Sequence, residues 1–364
     1  MKIRQRVPVF VITGLLGSGK TTLLSRLLRD VRLTDSLVVV NEFASIGLDH
    51  HLLAGPAQEV ILLENGCLCC SMQGDLVATL REVARQVEGG QHGFARVLIE
   101  TSGIADPVGI LRTLTADPVV AAYLFFQSVL TVVDTLNWRE QIEDTPEALR
   151  QIAVADHLVI TKTDMVEATE RADILRCLVA LTPAQVHVAD GAGFNDALLA
   201  VFIAGEGKAE LEAQGDLWLL KQRIPGTHSH TNAISGTAGH DICALSTVVL
   251  RREEPVTEYA LVLWLNLLGN FHGGQLLRVK GIVNVEGRPT LINGVRQVIH
   301  QVVTLARWPD SDRTSRIVFI GYGIRSEALS AINGALECRD VSVSEALDPE
   351  RYRAFSSVFA RMRT

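Results

Sequence analysis

A glycine-rich segment near the start of the chain limits the possible folds more than any other feature. Residues 7–13 (VPVFVIT) form an apolar run that predicts a buried strand, and residues 14–21 (GLLGSGKT) match the pattern G-x-x-x-x-G-K-[ST]. Helix-forming residues then resume. A strand, a loop of this pattern and a helix, in that order, predict a nucleoside triphosphate site rather than a glycine-rich turn that binds nothing. We call residues 14–21 the phosphate loop.

The residue types of the phosphate loop suit this chemistry. Its glycines let the backbone curl without Cβ clashes, so that successive N–H groups and the helix N-terminus point at phosphate oxygens. Lys20 supplies a positive charge near the β and γ phosphates, and the Thr21 hydroxyl is placed to ligate Mg²⁺. The nucleotide-binding residues expected here are Gly14, Gly17, Ser18, Gly19, Lys20, Thr21 and Thr22.

Composition narrows the classes of function. The 364 residues are 48% hydrophobic, which is enough for one large core and a second, so two domains are expected. A net charge of −7 offers no general attraction to nucleic acid or to an anionic membrane. The longest uncharged runs, residues 118–133 and 259–277, are too short or too interrupted by polar residues to span a bilayer. We expect a soluble, cytoplasmic protein that binds neither nucleic acid nor membrane.

Short β-rich runs alternate with helical stretches up to about residue 203, which predicts a P-loop NTPase with a doubly wound, mostly parallel sheet. A polar segment without periodicity follows, and we predict a first domain over residues 1–204, a linker over 205–240 and a smaller α+β domain over 241–364. In the first domain, the strands predicted after residues 7–13 are 37–40, 60–63, 95–99, 128–133, 157–160 and 185–188, and the helices are 74–87, 107–114, 146–154 and 168–181. In the second domain, the predicted strands are 241–250, 276–285, 295–304 and 316–320, and the helices are 255–268 and 327–336.

A short acidic motif follows the strand predicted over residues 95–99. The carboxyl ends of strands are where doubly wound folds bind ligands. In the segment LIETSG, Glu100 is the acidic residue that can hold Mg²⁺ or its water, and Gly103 can present its N–H group to a γ-phosphate. An ordinary solvated strand end is the alternative, and the position of the motif after the phosphate loop favours the functional interpretation.

The segment TKTD follows the strand predicted over residues 157–160 and resembles the base-reading motif of GTPases. Asp164 can accept hydrogen bonds from the N1–H group and the exocyclic amine of guanine, whereas adenine has no donor at those positions. Thr161 stands where asparagine is commoner, and a surface turn that merely has this spelling is the alternative. Thr161, Lys162 and Asp164 therefore favour GTP over ATP.

Three of the six cysteines lie within four residues, in the segment ENGCLCC. Thiolates favour Zn²⁺ or a comparable transition ion, such as Co²⁺ or Ni²⁺, over Mg²⁺. Cys69 and Cys70 are adjacent and cannot easily both face one ion, so we expect Cys67 and one of them to bind it, with other groups completing the shell. A closed structural zinc site, a redox thiol pair and plain packing are alternatives; without a second C-x-x-C, a labile metal site is favoured.

The segment from Asn41 to His51 (NEFASIGLDHH) follows the strand predicted over residues 37–40 and occupies the switch I position of a GTPase. Its acidic and imidazole side chains are potential ligands for Mg²⁺ or for the second metal, and a solvated polar loop is the alternative for the histidines. The loop is long enough to change shape with the γ-phosphate. The candidate ligands are Glu42, Asp49, His50 and His51.

These motifs together resemble one family. GLLGSGKTTLL, NEF with the following IGLDHHL, ENGCLCC, ETSG and TKTD occur in the order and spacing of the CobW-type metal-chaperone GTPases, and residues 276–282 (LLRVKGI) and 316–320 (RIVFI) resemble their C-terminal domain. The resemblance implies a low-turnover GTPase that binds a transition metal, often zinc, and passes it to a client protein when GTP is hydrolysed. It also implies that Glu42 and the cysteines of the CLCC segment have the family's metal-linked roles.

The hypothesis from the sequence is that GTP and Mg²⁺ fix the phosphate loop, switch I and the Glu100 segment, and that this arrangement draws the CLCC segment into a metal-binding geometry. A metal or redox sensor that uses nucleotide only as a structural ligand is one rival. An ATP-dependent kinase of small molecules is another. The sequence leaves open the metal, the client and whether the protein is a monomer or a homodimer.

Overall fold

The chain divides into two compact units, Met1–Lys208 and Ala209–Thr364. The computed structural model describes residues 6–40, 59–62, 71–90, 93–189, 194–203, 230–231, 245–269, 276–296, 298–299, 302–324 and 326–338. Within these ranges no helix is long and apolar enough to cross a membrane. The ends of the two domains at residues 204 and 241 stay a prediction.

The described part of the first unit is built on a seven-stranded sheet in which every neighbouring pair is parallel. This arrangement confirms the predicted parallel sheet. The order across the sheet is β3-β2-β4-β1-β5-β6-β7. The strands are β1 (Val7–Thr13), β2 (Ser36–Val40), β3 (Glu59–Leu62), β4 (Arg96–Glu100), β5 (Leu124–Asp134), β6 (His157–Thr161) and β7 (Gln185–Val188).

Wherever the connection between consecutive strands is described it contains a helix, as parallel pairing favours. The two central strands β1 and β4 are buried almost throughout, which explains their continuous apolar sequences. Phe10 of β1 packs edge-to-face on Phe202, with ring centroids 5.1 Å apart. The helices are α1 (Lys20–Leu27), α2 (Ser71–Gly89), α3 (Val108–Ala116), α4 (Pro118–Tyr123), α5 (Trp138–Asp144), α6 (Pro146–Val154), α7 (Ala168–Leu181) and α8 (Phe194–Ile203).

Most predicted elements of the first unit are present within a few residues of their expected ends, and the main differences are additional helices. Helices α4, α5 and α8 were not predicted from the sequence. Helices α4 and α5 have only 6 and 7 residues, too few for an apolar period to be recognised. Strand β5 is also longer than predicted, because it begins directly where α4 ends.

The second unit is an antiparallel sheet with helices, as predicted for an α+β domain. Trp264 is fully buried, donates a hydrogen bond from Nε1 to Asn333 Oδ1 at 3.0 Å and packs edge-to-face on Phe319. The described elements are β8 (His230–Thr231), β9 (Leu245–Arg252), α9 (Glu258–Gly269), β10 (Leu276–Val285), β11 (Arg288–Val295), β12 (Val298–Ile299), β13 (Val303–Thr304), β14 (Ser315–Tyr322) and α10 (Ser326–Asn333).

One prediction for the second unit is corrected. The strand predicted over residues 295–304 is wrong, because the long strand β11 ends at Val295 and, among the described residues up to 304, only the short strands β12 and β13 follow. Glu286 and Gly287 form a two-residue hairpin turn with φ values of 52° and 87°, so β11 returns immediately beside β10. Strand β8 lies within the predicted linker and pairs with β9.

Candidate functional site

The phosphate loop leaves the carboxyl end of β1 in a conformation that depends on glycine. Gly14, Gly17 and Gly19 have φ values of 143°, 77° and 95°, which side-chain-bearing residues rarely adopt. Gly14 is also confined, since a Cβ atom there would lie 2.3 Å from the carbonyl oxygen of Val132. The loop then passes directly into α1, whose first residue is Lys20. This is the strand, turn and helix arrangement that aims backbone N–H groups at an anion.

Two polar side chains of the phosphate loop are buried within it. Lys20 is 4% exposed, and its Nζ donates a hydrogen bond to the carbonyl oxygen of Leu15 at 3.2 Å. The Ser18 hydroxyl is fully buried and has no hydrogen-bond partner among the described residues. A buried hydroxyl can donate to an acceptor, and phosphate oxygens are acceptors, so the position of Ser18 fits a bound phosphate. Thr22, the last residue of the predicted set, is exposed on α1.

Thr21 and Glu100 meet although 79 residues separate them along the chain. The Thr21 hydroxyl donates a hydrogen bond to Glu100 Oε1 at 2.5 Å, and Glu100 is completely buried at the end of β4. Strand β4 is paired with β1, and Glu100 lies beside Ile12 in that register. A hydroxyl and a carboxylate at this spacing form an all-oxygen donor set, which fits Mg²⁺. The predicted Mg²⁺ ligands are therefore brought together.

Gly103 lies against the phosphate loop. A Cβ atom on Gly103 would lie 2.5 Å from the backbone nitrogen of Leu16, so only glycine fits at this position. The turn that contains Gly103 is closed by a hydrogen bond from the Ala105 N–H group to the Ser102 carbonyl oxygen at 3.1 Å. The segment after β4 therefore approaches the phosphate loop backbone to backbone, where its N–H groups can reach a terminal phosphate.

The TKTD segment is attached to the phosphate loop by its first residue. The Thr161 hydroxyl donates a hydrogen bond to the Ser18 carbonyl oxygen at 2.7 Å. Lys162 has the left-handed φ value of 57°, and a short 3₁₀ helix over Thr163–Met165 follows it. Asp164 in that turn is exposed, so its carboxylate is accessible to a ligand. At residue 161, where asparagine is commoner, a threonine hydroxyl thus forms a hydrogen bond to the phosphate loop.

Two residues of this site were missed in the sequence analysis, Asp134 and Thr135. Asp134 ends β5, is fully buried and lies 3.3 Å from the Lys162 ammonium group. It also accepts hydrogen bonds from the backbone N–H groups of Leu136 and Asn137, at 2.9 and 2.8 Å. Thr135 donates a hydrogen bond from its hydroxyl to the Lys162 carbonyl oxygen at 2.8 Å. Both residues support the TKTD segment from the neighbouring strand, and the carboxylate that follows the run VLTVV was the available signal.

The predicted metal-binding residues lie outside the described residues: Glu42, Asp49, His50, His51, Cys67, Cys69 and Cys70. The elements on either side of the CLCC segment are described: β3 ends at Leu62 and α2 begins at Ser71. Within the described ranges, no group of three or more histidine, cysteine, aspartate or glutamate side chains could hold a metal ion.

The sheet register fixes where these two segments begin. Leu62 of β3 pairs with Val40 of β2, which pairs with Glu100 of β4. Neighbouring strands are about 4.8 Å apart, so the Cα atoms of Leu62 and Glu100 are separated by roughly 10 Å. The chain after β2 and the chain after β3 therefore leave the same edge of the sheet as Glu100.

Both units match family models. Residues 8–188 match the model of the CobW/HypB/UreG nucleotide-binding domain, and residues 245–335 match the model of the cobalamin synthesis protein CobW C-terminal domain. Each match falls within one of the two compact units.

The chain is also similar to curated proteins over most of its length. It is 28% identical over 330 residues to the zinc chaperone YjiA of Escherichia coli, and the aligned region covers 89% of this chain and 97% of that protein. It is 29% identical over 364 residues to the zinc chaperone CobW of Pseudomonas aeruginosa, with 91% of each chain covered. The crystal structure of the Zn(II)-bound YjiA GTPase from E. coli superposes with a TM-score of 0.60 at 23% identity, over 91% of this chain and 99% of that one.

Proposed function

This chain belongs to the family that joins a CobW/HypB/UreG nucleotide-binding domain to a CobW C-terminal domain, and we propose on that premise that it is a GTP-hydrolysing metallochaperone. It binds a transition metal, zinc foremost, at the CLCC segment and transfers it to a client protein in a manner that depends on the nucleotide. The names of its relatives, zinc chaperones, support this proposal.

The observation that carries the GTPase part is the hydrogen bond from the Thr161 hydroxyl to the Ser18 carbonyl oxygen. It fixes the segment that would read guanine against the loop that would hold the phosphates, so one nucleotide can engage both. Asp164 would accept from the guanine N1–H group and amine, which gives GTP an advantage over ATP.

Hydrolysis on this arrangement depends on positioning and electrostatics. Lys20 would neutralise phosphate charge, and the Ser18 hydroxyl and the loop N–H groups would hold the phosphate oxygens. Thr21 and Glu100 would hold Mg²⁺, which, when bound, offsets the charge that develops on the β and γ phosphates. Among the described residues no side chain stands out as a general base, so backbone groups beside the phosphate loop would orient the attacking water, consistent with low turnover.

Phosphate release is the experiment that tests this function. We expect the full chain to release phosphate from GTP faster than from ATP, and zinc to change the GTP rate. Lys20→Ala should abolish hydrolysis because it removes the positive charge that would neutralise the transferred phosphate. Cys67→Ser should reduce zinc binding and leave GTP binding intact, with Cys177→Ser, at a half-buried position on α7, as the matched control.

Three results would contradict the proposal or a part of it. A GTP hydrolysis rate that zinc does not alter would favour a sensor that uses nucleotide as a structural ligand. Preferential binding of ATP would favour the kinase alternative. Unchanged zinc stoichiometry and affinity in Cys67→Ser would remove the CLCC segment from the metal site.

A further inference from the structure

The four-residue turn Ser102–Ala105, which we call the Gly103 turn, is held by contacts in addition to its own hydrogen bond. Its backbone is in contact with the phosphate loop, because a Cβ on Gly103 would lie 2.5 Å from the Leu16 nitrogen. On its other side lies Gln151 of α6, whose side chain is 1% exposed. Gln151 Nε2 donates hydrogen bonds to the carbonyl oxygens of Gly103 at 3.1 Å and Ala105 at 3.0 Å.

These two hydrogen bonds determine how the backbone of the Gly103 turn is oriented. The Gly103 carbonyl belongs to the central peptide of the turn, whose N–H group is that of Ile104. In a planar trans peptide the C=O and N–H groups point in opposite directions, so holding the carbonyl towards Gln151 directs the Ile104 N–H group away from it. The position of Gln151, 48 residues from Gly103 along the chain, therefore controls the orientation of a peptide beside the phosphate loop.

We propose that Gln151 is a positioning residue that holds the Gly103 turn in the orientation that recognises the terminal phosphate. Gln151 would thereby set how much that phosphate adds to nucleotide affinity. The inference rests on the proposed nucleotide site. Gln151 does not touch the nucleotide in this account; it acts through the backbone of Gly103, whose N–H group is the one predicted to reach the γ-phosphate and whose carbonyl oxygen Gln151 holds. Without Gln151, the turn keeps its own hydrogen bond from Ala105 to Ser102 but loses both side-chain contacts to its carbonyl oxygens, and the gain from a third phosphate falls.

A purely structural role for Gln151 is the competing explanation, and a neighbouring contact provides the control. The Thr131 hydroxyl donates a hydrogen bond to the backbone carbonyl oxygen of Gln151 at 2.7 Å, and Thr131 is also 1% exposed. Thr131→Val removes a buried hydrogen bond to the same residue of α6 but leaves both hydrogen bonds from Gln151 to the Gly103 turn. Gln151→Met keeps the length of the side chain and removes both donors.

The test compares two dissociation constants for each full-length variant in the presence of Mg²⁺, one for GDP and one for a non-hydrolysable GTP analogue. We expect Gln151→Met to weaken binding of the analogue by about tenfold relative to GDP, as for the loss of one or two hydrogen bonds. Thr131→Val should leave the ratio of the two constants at the wild-type value even where its melting temperature falls as far. If Gln151→Met does not fold, Gln151→Asn, which is too short to reach both carbonyl oxygens, should give the same loss.

An unchanged ratio in the Gln151 variant, or an equal change in Thr131→Val, would overturn the inference. The failure of the proposed function would look different. A wild-type protein that hydrolyses no GTP, or binds no zinc, would refute the metallochaperone, whereas the affinity ratio would still report on Gln151.

Discussion

At the scale of single residues, the TKTD segment has two residues held by hydrogen bonds or an ion pair, Thr161 and Lys162, and one exposed carboxylate, that of Asp164. Thr161 is bonded to the phosphate loop and Lys162 is paired with the buried Asp134, so the backbone around them is held on two sides. Asp164, two residues further on, is exposed and therefore accessible to a base. Rigid support beside an accessible carboxylate is what selective reading of a purine requires.

Base selection by Asp164 gives a prediction with a gain as well as a loss. Asp164→Asn replaces one acceptor with a donor, so it should weaken GTP binding by more than tenfold, since each lost hydrogen bond to a charged group is worth about 1.5–3 kcal/mol. Xanthine has a carbonyl where guanine has its amine, so the asparagine amide should now bind XTP more tightly than GTP. Competition for a fluorescent nucleotide measures both affinities, with Asp173→Asn on the surface of α7 as the control. An unchanged preference for GTP would show that Asp164 does not read the base.

Residues of the site differ in how far they could be predicted from the sequence. Lys20, Thr21 and Glu100 each follow a strand in a motif whose spacing itself indicates the chemistry. Asp134 and Gln151 act through partners 28 and 48 residues away, and no local spacing relates them. A buried glutamine in an apolar helix such as α6 also has the same sequence pattern as an exposed one. Their roles follow only from tertiary contacts.

At the scale of elements, α4 illustrates how a short helix is stabilised at its first turn. Asp117 caps it, accepting hydrogen bonds from the N–H groups of Val119 and Val120 at 3.0 and 3.1 Å. Arg81 of α2 donates to the other carboxylate oxygen at 2.8 Å. The hydrogen bond from Val120, and then the contact with Arg81, hold the pKa of Asp117 below its ordinary value, against the opposing effect of desolvation.

This lowered pKa predicts a stability contribution that acid removes. A carboxylate with a depressed pKa in the folded protein stabilises it at pH values above the unfolded-state pKa of about 3.9, and the stabilisation is lost as the pH falls through the folded-state pKa. Asp117→Asn should therefore lower the melting temperature at pH 7, and the difference from wild type should shrink below about pH 4. Thermal unfolding from pH 7 to pH 3 measures it, with the exposed Asp75→Asn on α2 as control. A difference that does not depend on pH would contradict this role.

Elements also differ in how predictable they were. The buried strands of the parallel sheet were recognised because both of their faces are covered and their sequences are continuously apolar. In the second unit, β11 (RPTLINGV) contains a proline, an asparagine and a glycine, and its turn is Glu-Gly rather than the more typical Asn-Gly or Asp-Gly. Pairing with β10 along eight residues, not intrinsic propensity, makes it a strand.

At the scale of the whole molecule, the central question is how nucleotide state and metal binding are coupled. Leu62, Val40 and Glu100 lie side by side across three strands, so the segments that follow β2 and β3 begin within roughly 10 Å of Glu100. The segment that contains CLCC starts directly after β3, so we propose that a change at the terminal phosphate is transmitted to it from the Glu100 end of the sheet. In this account GTP and Mg²⁺ favour the conformation that binds metal, and hydrolysis lowers its population.

The affinity for zinc in two nucleotide states tests this account most directly. With the full chain and Mg²⁺, competition against a chromophoric chelator should give tighter zinc binding with a non-hydrolysable GTP analogue than with GDP, by a factor in the range of about 5 to 150. By linkage, zinc should increase the affinity for the analogue, relative to that for GDP, by the same factor, and Cys67→Ser should remove both effects. Equal zinc affinities in the two nucleotide states would contradict the account.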